Sequence, residues 1–202
     1  MLHIGIIAAT FGLIFVGELP DKSAVASLVL GTRFPLRWVF AGVASAFLLH
    51  VIVAVLAGSL LTLLPQRVLE GVVAVLFLIG AVLIWREGNE DEEALEAEEE
   101  AELSAVPDTA GFWKVASLGF GVIFIAEWGD LTQILTANLA AKYDDPFSVA
   151  VGATLGLWAV ALLAILGGKT LLRVLPMKWI TRVAAVVMTA LAIFSAVSAV
   201  RG

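Results

Sequence analysis

Two short stretches put carboxylates where they are costly: Glu18-Leu19-Pro20-Asp21-Lys22-Ser23 and Glu127-Trp128-Gly129-Asp130-Leu131-Thr132-Gln133. Each lies in the middle of a long apolar run, where ionisable side chains mark function. Each carries Glu and Asp at i and i+3, so on a helix the pair shares one face. The copies are 109 residues apart in a chain of 202, which points to a duplicated architecture. Glu18, Asp21, Glu127 and Asp130, with Ser23, Thr132 and Gln133 beside them, offer an all-oxygen environment. Such a set suits hard divalent ions (Ca²⁺, Mn²⁺, Mg²⁺) rather than soft metals. Like charges crowded in a poorly solvated site favour protonation, and an arriving cation would expel those protons. That competition is a physical basis for exchanging a divalent cation against protons.

Other readings of the same residues exist. Lys22 follows Glu18 by four positions, the spacing of a helical ion pair. It is either a counter-ion for the site or a snorkelling side chain. The second copy has Leu131 in that place, so an ion pair does not account for both motifs. Ser23, Thr132 and Gln133 are ligands, or hydrogen-bond between membrane helices. Pro20 donates no amide hydrogen and clashes with the carbonyl of Val16, so it should kink or open the first helix. Gly129 lets the fourth span deform. On an unbroken helix Ser23 sits roughly 140° round from Glu18, at about 100° per residue. Its hydroxyl joins the Glu only if the helix is interrupted.

The elements that must hold these motifs are helices in a membrane. Apolar residues make up 61% of the chain, against about 45–50% in soluble domains. Six runs stand out, at approximately 2–31, 38–64, 68–86, 112–141, 147–172 and 178–200, each near or above the ~20 residues a spanning helix needs. None alternates apolar with polar as a barrel strand would. Breaks fall at Pro35, Pro65, Pro146 and Pro176. The expected fold is an all-α membrane protein of six transmembrane helices, arranged as two inverted three-helix repeats. The first repeat covers 1–86, an acidic cytoplasmic linker 87–111, and the second repeat 112–202. Beyond the motifs, Gly42 aligns with Gly152, Gly58 with Gly168 and Pro65 with Pro176. Three spans per half is an odd number, so the second copy enters the membrane in the opposite sense, with a site at the repeat interface.

The net charge of −6 comes from one segment. Residues 87–108 hold eleven acids and no base, leaving 7 acids against 12 bases elsewhere, a net of +5. Lys and Arg near the span ends divide eight to three, which places the linker in the cytoplasm and both termini outside. The linker is a solvated, partly helical tether, or it gathers cations near the cytoplasmic mouth. Met1 to Gly17 lacks a basic n-region and reads as a retained first span. With no cysteine and only His3 and His50, thiolate and imidazole-rich metal sites are excluded or improbable.

Two copies of E-x-G-D-[KR]-[ST], each in the first of three spans, resemble the signature of the GDT-type cation/proton exchangers, the Ca²⁺/Mn²⁺:H⁺ antiporters. The resemblance covers the whole chain. It implies that Glu18, Asp21, Glu127 and Asp130 bind the cation, supported by Ser23, Thr132 and Gln133. It also implies export of manganese first, then calcium, across a bacterial cytoplasmic membrane. This chain departs from the pattern at Pro20 (for Gly), Ala24 (for Gln) and Leu131 (for a base). The expected partners are the bilayer, a divalent cation and protons, with no nucleic acid. No resident cofactor is expected, since the cation is substrate. The rivals are an exporter of another cationic solute, a membrane-embedded metal-dependent hydrolase, and a structural scaffold. Weaker signals are His50, a packing residue or proton relay; Thr136 and Asn138, facing a pathway or bridging helices; Trp38, Trp85, Trp113 and Trp179 as an interfacial belt; and Trp128, walling the site.

Overall fold

The computed structural model describes residues 2–19, 22–87, 110–174 and 177–201. Within them the chain is helical, with no strand: α1 (Ile4–Glu18), α2 (Lys22–Arg33), α3 (Leu36–Leu61), α4 (Gln66–Glu87), α5 (Phe112–Ala126), α6 (Leu131–Tyr143), α7 (Pro146–Val174) and α8 (Met177–Arg201). The proline signals sit where helices begin. Pro35 is the N-cap of α3, Pro65 directly precedes α4, and Pro146 opens α7, where a missing N–H costs nothing. Pro20, Asp21 and Pro176, and nearly all of the acidic linker, lie outside the described residues.

Two of the six expected spans need correction. The runs 2–31 and 112–141 are each a pair of shorter helices, and α5 and α6 meet at 73°. Glu127 and Asp130 therefore do not share a face of one helix, because the break falls between them. By length and composition, Leu36–Leu61 and Pro146–Gly167 can each cross a membrane, and the bent α5–α6 pair makes a third span if taken as one.

At the centre α3 packs on α7. On α7 lie α1 and α2; on α3 lie α5 and α6; and α4 pairs with α8. Exchanging the halves of the chain reproduces these pairings. Bulky side chains such as Phe47, Phe77, Ile14 and Leu135 fill the core, while Leu56, Leu60, Ile125 and Leu166 point outward. Apolar residues on both faces suit helices whose surroundings are lipid, where small residues rather than hydrophobicity decide which faces meet.

Glycines provide that fit. A Cβ on Gly42 would stand 2.0 Å from the carbonyl oxygen of Ala116, and one on Gly152 would stand 2.6 Å from that of Ile7. Ala116 follows Ile7 by 109 residues and Gly152 follows Gly42 by 110, so one close contact is made twice, α3 on α5 and α7 on α1. Gly58 similarly admits the carbonyl of Ala137 on α6, whose oxygen would be 2.2 Å from a Cβ there. Trp158 adds a polar link between the central helices, donating from Nε1 to the Ala44 carbonyl at 3.0 Å.

The start of α1 is clasped to the start of α7. The His3 amide donates to Ser148 Oγ at 3.0 Å, His3 Nδ1 lies 2.6 Å from Asp145 Oδ2, and the Ser148 amide donates to Asp145 Oδ1 at 3.1 Å. Hydrogen bonds from Ser148 and His3 hold the Asp145 carboxyl down from 3.8 to about 2.

Gly42→Ala drives a methyl into backbone and should destabilise the protein by about 1–3 kcal/mol. Gly71→Ala, where a Cβ meets nothing within 4 Å, should instead stabilise by up to about 1 kcal/mol; thermal unfolding in detergent compares them. Because the Asp145 pKa is depressed on folding, its contribution is present above pH 3.8 and lost as pH falls through about 2. The difference in Tm between wild type and Asp145→Asn should therefore close over that window.

Candidate cation site

Glu18 is the last residue of α1 and fully buried. Ser23, in the first turn of α2, donates its hydroxyl hydrogen to Glu18 Oε1. The two helices α1 and α2 are separate elements, and this is the interrupted geometry that lets the hydroxyl reach the Glu. Asp21 lies outside the described residues.

The second motif forms a helix break. Glu127 ends α5 as its C-cap and is buried. Gly129 has φ +81, a conformation that strains any residue with a side chain. Asp130 is the N-cap of α6 in an extended conformation, and its Oδ2 accepts from the Thr132 amide at 3.1 Å and the Thr132 hydroxyl at 3.4 Å. A carboxylate at a helix N-terminus satisfies an amide without an intrahelical partner and meets the positive end of the helix dipole.

The breaks bring the halves together. Glu18, Glu127 and Asp130 each present an oxygen, and all three oxygens lie within 4.8 Å of one another. Oxygens on opposite sides of a Ca²⁺ ion stand about 4.8 Å apart, twice a coordination distance of about 2.4 Å. One ion could therefore touch an oxygen from each residue. Thr132 also faces the first motif: its methyl would lie 3.8 Å from a Cβ on Gly17. A cavity of about 10 Å³ adjoins Glu127, lined by Thr132, Gln133, Thr136, His50 and apolar side chains. It has room for about one water.

Gln133 lines this cavity, but both ends of its amide are engaged elsewhere. Oε1 accepts from the Gly129 amide at 2.8 Å, and Nε2 lies 2.9 Å from His50 Nδ1. His50, which the sequence marks as a packing residue or a proton relay, belongs to the site's surroundings. The signal was a lone histidine inside an apolar span, and the structure sets it in the buried stripe Phe47, His50, Val51, Ala54, Gly58 of α3. Thr136 bonds back to the Thr132 carbonyl at 2.7 Å. Asn138 is fully buried on α6, with no hydrogen-bond partner for either amide atom among the described residues. Trp128, expected as a wall of the site, is 62% exposed and packs on the rings of His50 and Phe124.

The model of the family described as "Divalent cation/proton antiporter GDT1" matches residues 6–92 and 115–202. The chain belongs to the GDT1 family. A GDT1-like protein of Synechocystis sp. is 38% identical over 168 residues, covering 78% of this chain and 80% of that protein. GDT1-like protein 5 of Arabidopsis thaliana is 30% identical, with 78% and 80% covered. The chloroplastic protein PAM71 of the same plant is 34% identical over 95% of this chain, which spans 55% of that longer protein. No solved structure matches the chain. GDT1 members are cation/proton transporters, not enzymes, which removes the hydrolase and the scaffold from the rivals.

The cap and the charge of Asp130 can be separated. Asp130→Asn keeps an N-cap acceptor and should unfold within a few tenths of a kcal/mol of wild type; Asp130→Ala should lose about 1 kcal/mol. Equal losses in denaturation of the two variants would show that the cap contributes nothing.

Proposed function

We propose that this chain is a secondary antiporter that exports Mn²⁺, with Ca²⁺ as second choice, in exchange for protons. The observation that carries the proposal is the meeting of Glu18 from one half with Glu127 and Asp130 from the other, oxygens within 4.8 Å. Asp21 completes the set as the counterpart of Asp130 in the first motif. Ser23 and Thr132 orient Glu18 and Asp130 by hydrogen bonding.

Three carboxylates that close repel one another when all are ionised, and either protons or a divalent cation relieves the repulsion. The two are then alternative occupants of one site, which is the requirement for coupled exchange. In the proposed cycle the carboxylates release protons to the cytoplasm, take the cation, turn outward by alternating access, and are reprotonated there. All-oxygen ligation favours Mn²⁺ or Ca²⁺ over softer metals.

The proposed architecture is six spans in two inverted repeats, 1–86 and 112–202, joined by a cytoplasmic linker, with both termini outside. Support comes from the separate family matches to 6–92 and 115–202, from helix pairings that survive exchange of the halves, and from the duplicated Gly42 and Gly152 contacts. Broken helices at a repeat interface are a transporter device that exposes backbone ends and side chains only where they line the site.

The test is metal-dependent proton movement in proteoliposomes. Mn²⁺ should drive counter-movement of protons in wild type, Ca²⁺ less, and Asp130→Asn and Glu18→Gln should reduce it at least 100-fold. Metal uptake without proton movement would sink exchange, and full activity in Asp130→Asn would sink the site.

A further inference from the structure

The α5–α6 break leaves backbone groups that a continuous helix would have paired. The Trp128 amide, whose regular partner is the Phe124 carbonyl, turns instead toward Ile125 at 3.4 Å. The Phe124 carbonyl is met by His50 Nε2 from α3 at 3.2 Å. On the far side of the break, the Gly129 amide is met by Gln133 Oε1.

These two contacts set the polarity of the link between them. A carbonyl only accepts, so His50 carries its hydrogen on Nε2 and leaves Nδ1 an acceptor. A backbone N–H only donates, so Gln133 turns its oxygen to Gly129 and its NH₂ to His50. The two assignments are independent, and they place a donor opposite an acceptor at 2.9 Å. The chain Phe124 C=O, His50, Gln133, Gly129 N–H thus runs from the end of α5, through α3, into the first turn of α6. The His50 ring also packs against both Phe124 and Trp128, at centroid distances of 5.2 and 5.8 Å.

We propose that His50 and Gln133 form a staple across the α5–α6 break that positions Glu127 and Asp130 for the cation, so that His50 is a specificity-determining positioning residue that never touches the ion. This rests on the cation/proton exchange proposed above. The first half lacks both members. Ala24 stands at the counterpart of Gln133 and Val160 at that of His50, by the 109- and 110-residue offsets, and both are buried and apolar. Loss of the two partners together is what a pair acting as one unit requires. The second break is fixed by side chains from α3 and α6, and the first has no such tie at these positions.

The experiment measures the half-saturating cation concentration and the maximal rate of proton-coupled Mn²⁺ and Ca²⁺ transport in proteoliposomes. His50→Phe keeps the ring packing and removes both hydrogen bonds. It should raise the half-saturating Mn²⁺ concentration about 10-fold or more, as loss of outer-shell partners does, with a maximal rate within about threefold of wild type and an altered Mn²⁺:Ca²⁺ preference. Gln133→Leu should match it, and the double variant should be no worse than either single one. His50→Asn, which restores an acceptor near the Nδ1 position, should recover most of the affinity. Should His50→Phe fail to fold, Gln133→Leu, at a half-buried position, carries the same prediction. Unchanged half-saturation in Gln133→Leu, or additive losses in the double variant, would overturn the staple while leaving exchange intact. Absence of metal-coupled proton movement in wild type would overturn both.

Discussion

A carboxylate in the middle of an apolar span needs partners, and an unbroken helix supplies none, because every backbone group near it is already bonded within the helix. Interrupting the helix solves that problem and creates another, since each freed amide and carbonyl must itself be satisfied away from water. Here the two demands are met by the same residues. Asp130 presents an oxygen to the carboxylate cluster and also caps α6 through Thr132. Gln133 takes the Gly129 amide, and His50 takes the Phe124 carbonyl. The site and the repair of the backbone are one construction.

The central pair of helices gives that construction its place. Because α5 and α6 both pack on α3, and α1 and α2 both pack on α7, contact between α3 and α7 carries the two breaks toward each other. Glycine makes the approach close: no side chain fits between Gly42 and Ala116 or between Gly152 and Ile7. In a lipid environment, close backbone contact of this kind contributes more to helix association than apolar surface, which lipid covers equally well.

The two halves are alike in scaffold and different in chemistry. Both have a break, a buried Glu before it and a hydroxyl residue after it. Only the second has glycine in a left-handed turn and the amide–imidazole link, while the first has proline in its break and an apolar Ala24 and Val160 at the matching positions. The backbone of the second break is therefore linked to α3 through His50 and Gln133, and the matching positions of the first half carry no such pair.

The sequence by itself determined the class of protein, the helical runs, the proline starts of α3, α4 and α7, and the carboxylates that stand inside apolar runs. These follow from local composition and spacing: apolar length specifies a span, and a carboxylate inside one is conspicuous. It also allowed an interruption at Pro20 and tolerance at Gly129. The i, i+3 spacing suggested one helical face for Glu127 and Asp130, whereas the break separates them, since a cap and a face have the same spacing in the chain. Only the tertiary structure decided that Glu18 meets Glu127 and Asp130, that Gln133 is committed to Gly129 and His50, and that Trp128 lies outward. Those facts depend on how closely helices about 100 residues apart in sequence approach, and on which way each break turns. Neither is encoded in the period of any one segment; both emerge when small residues let the backbones touch.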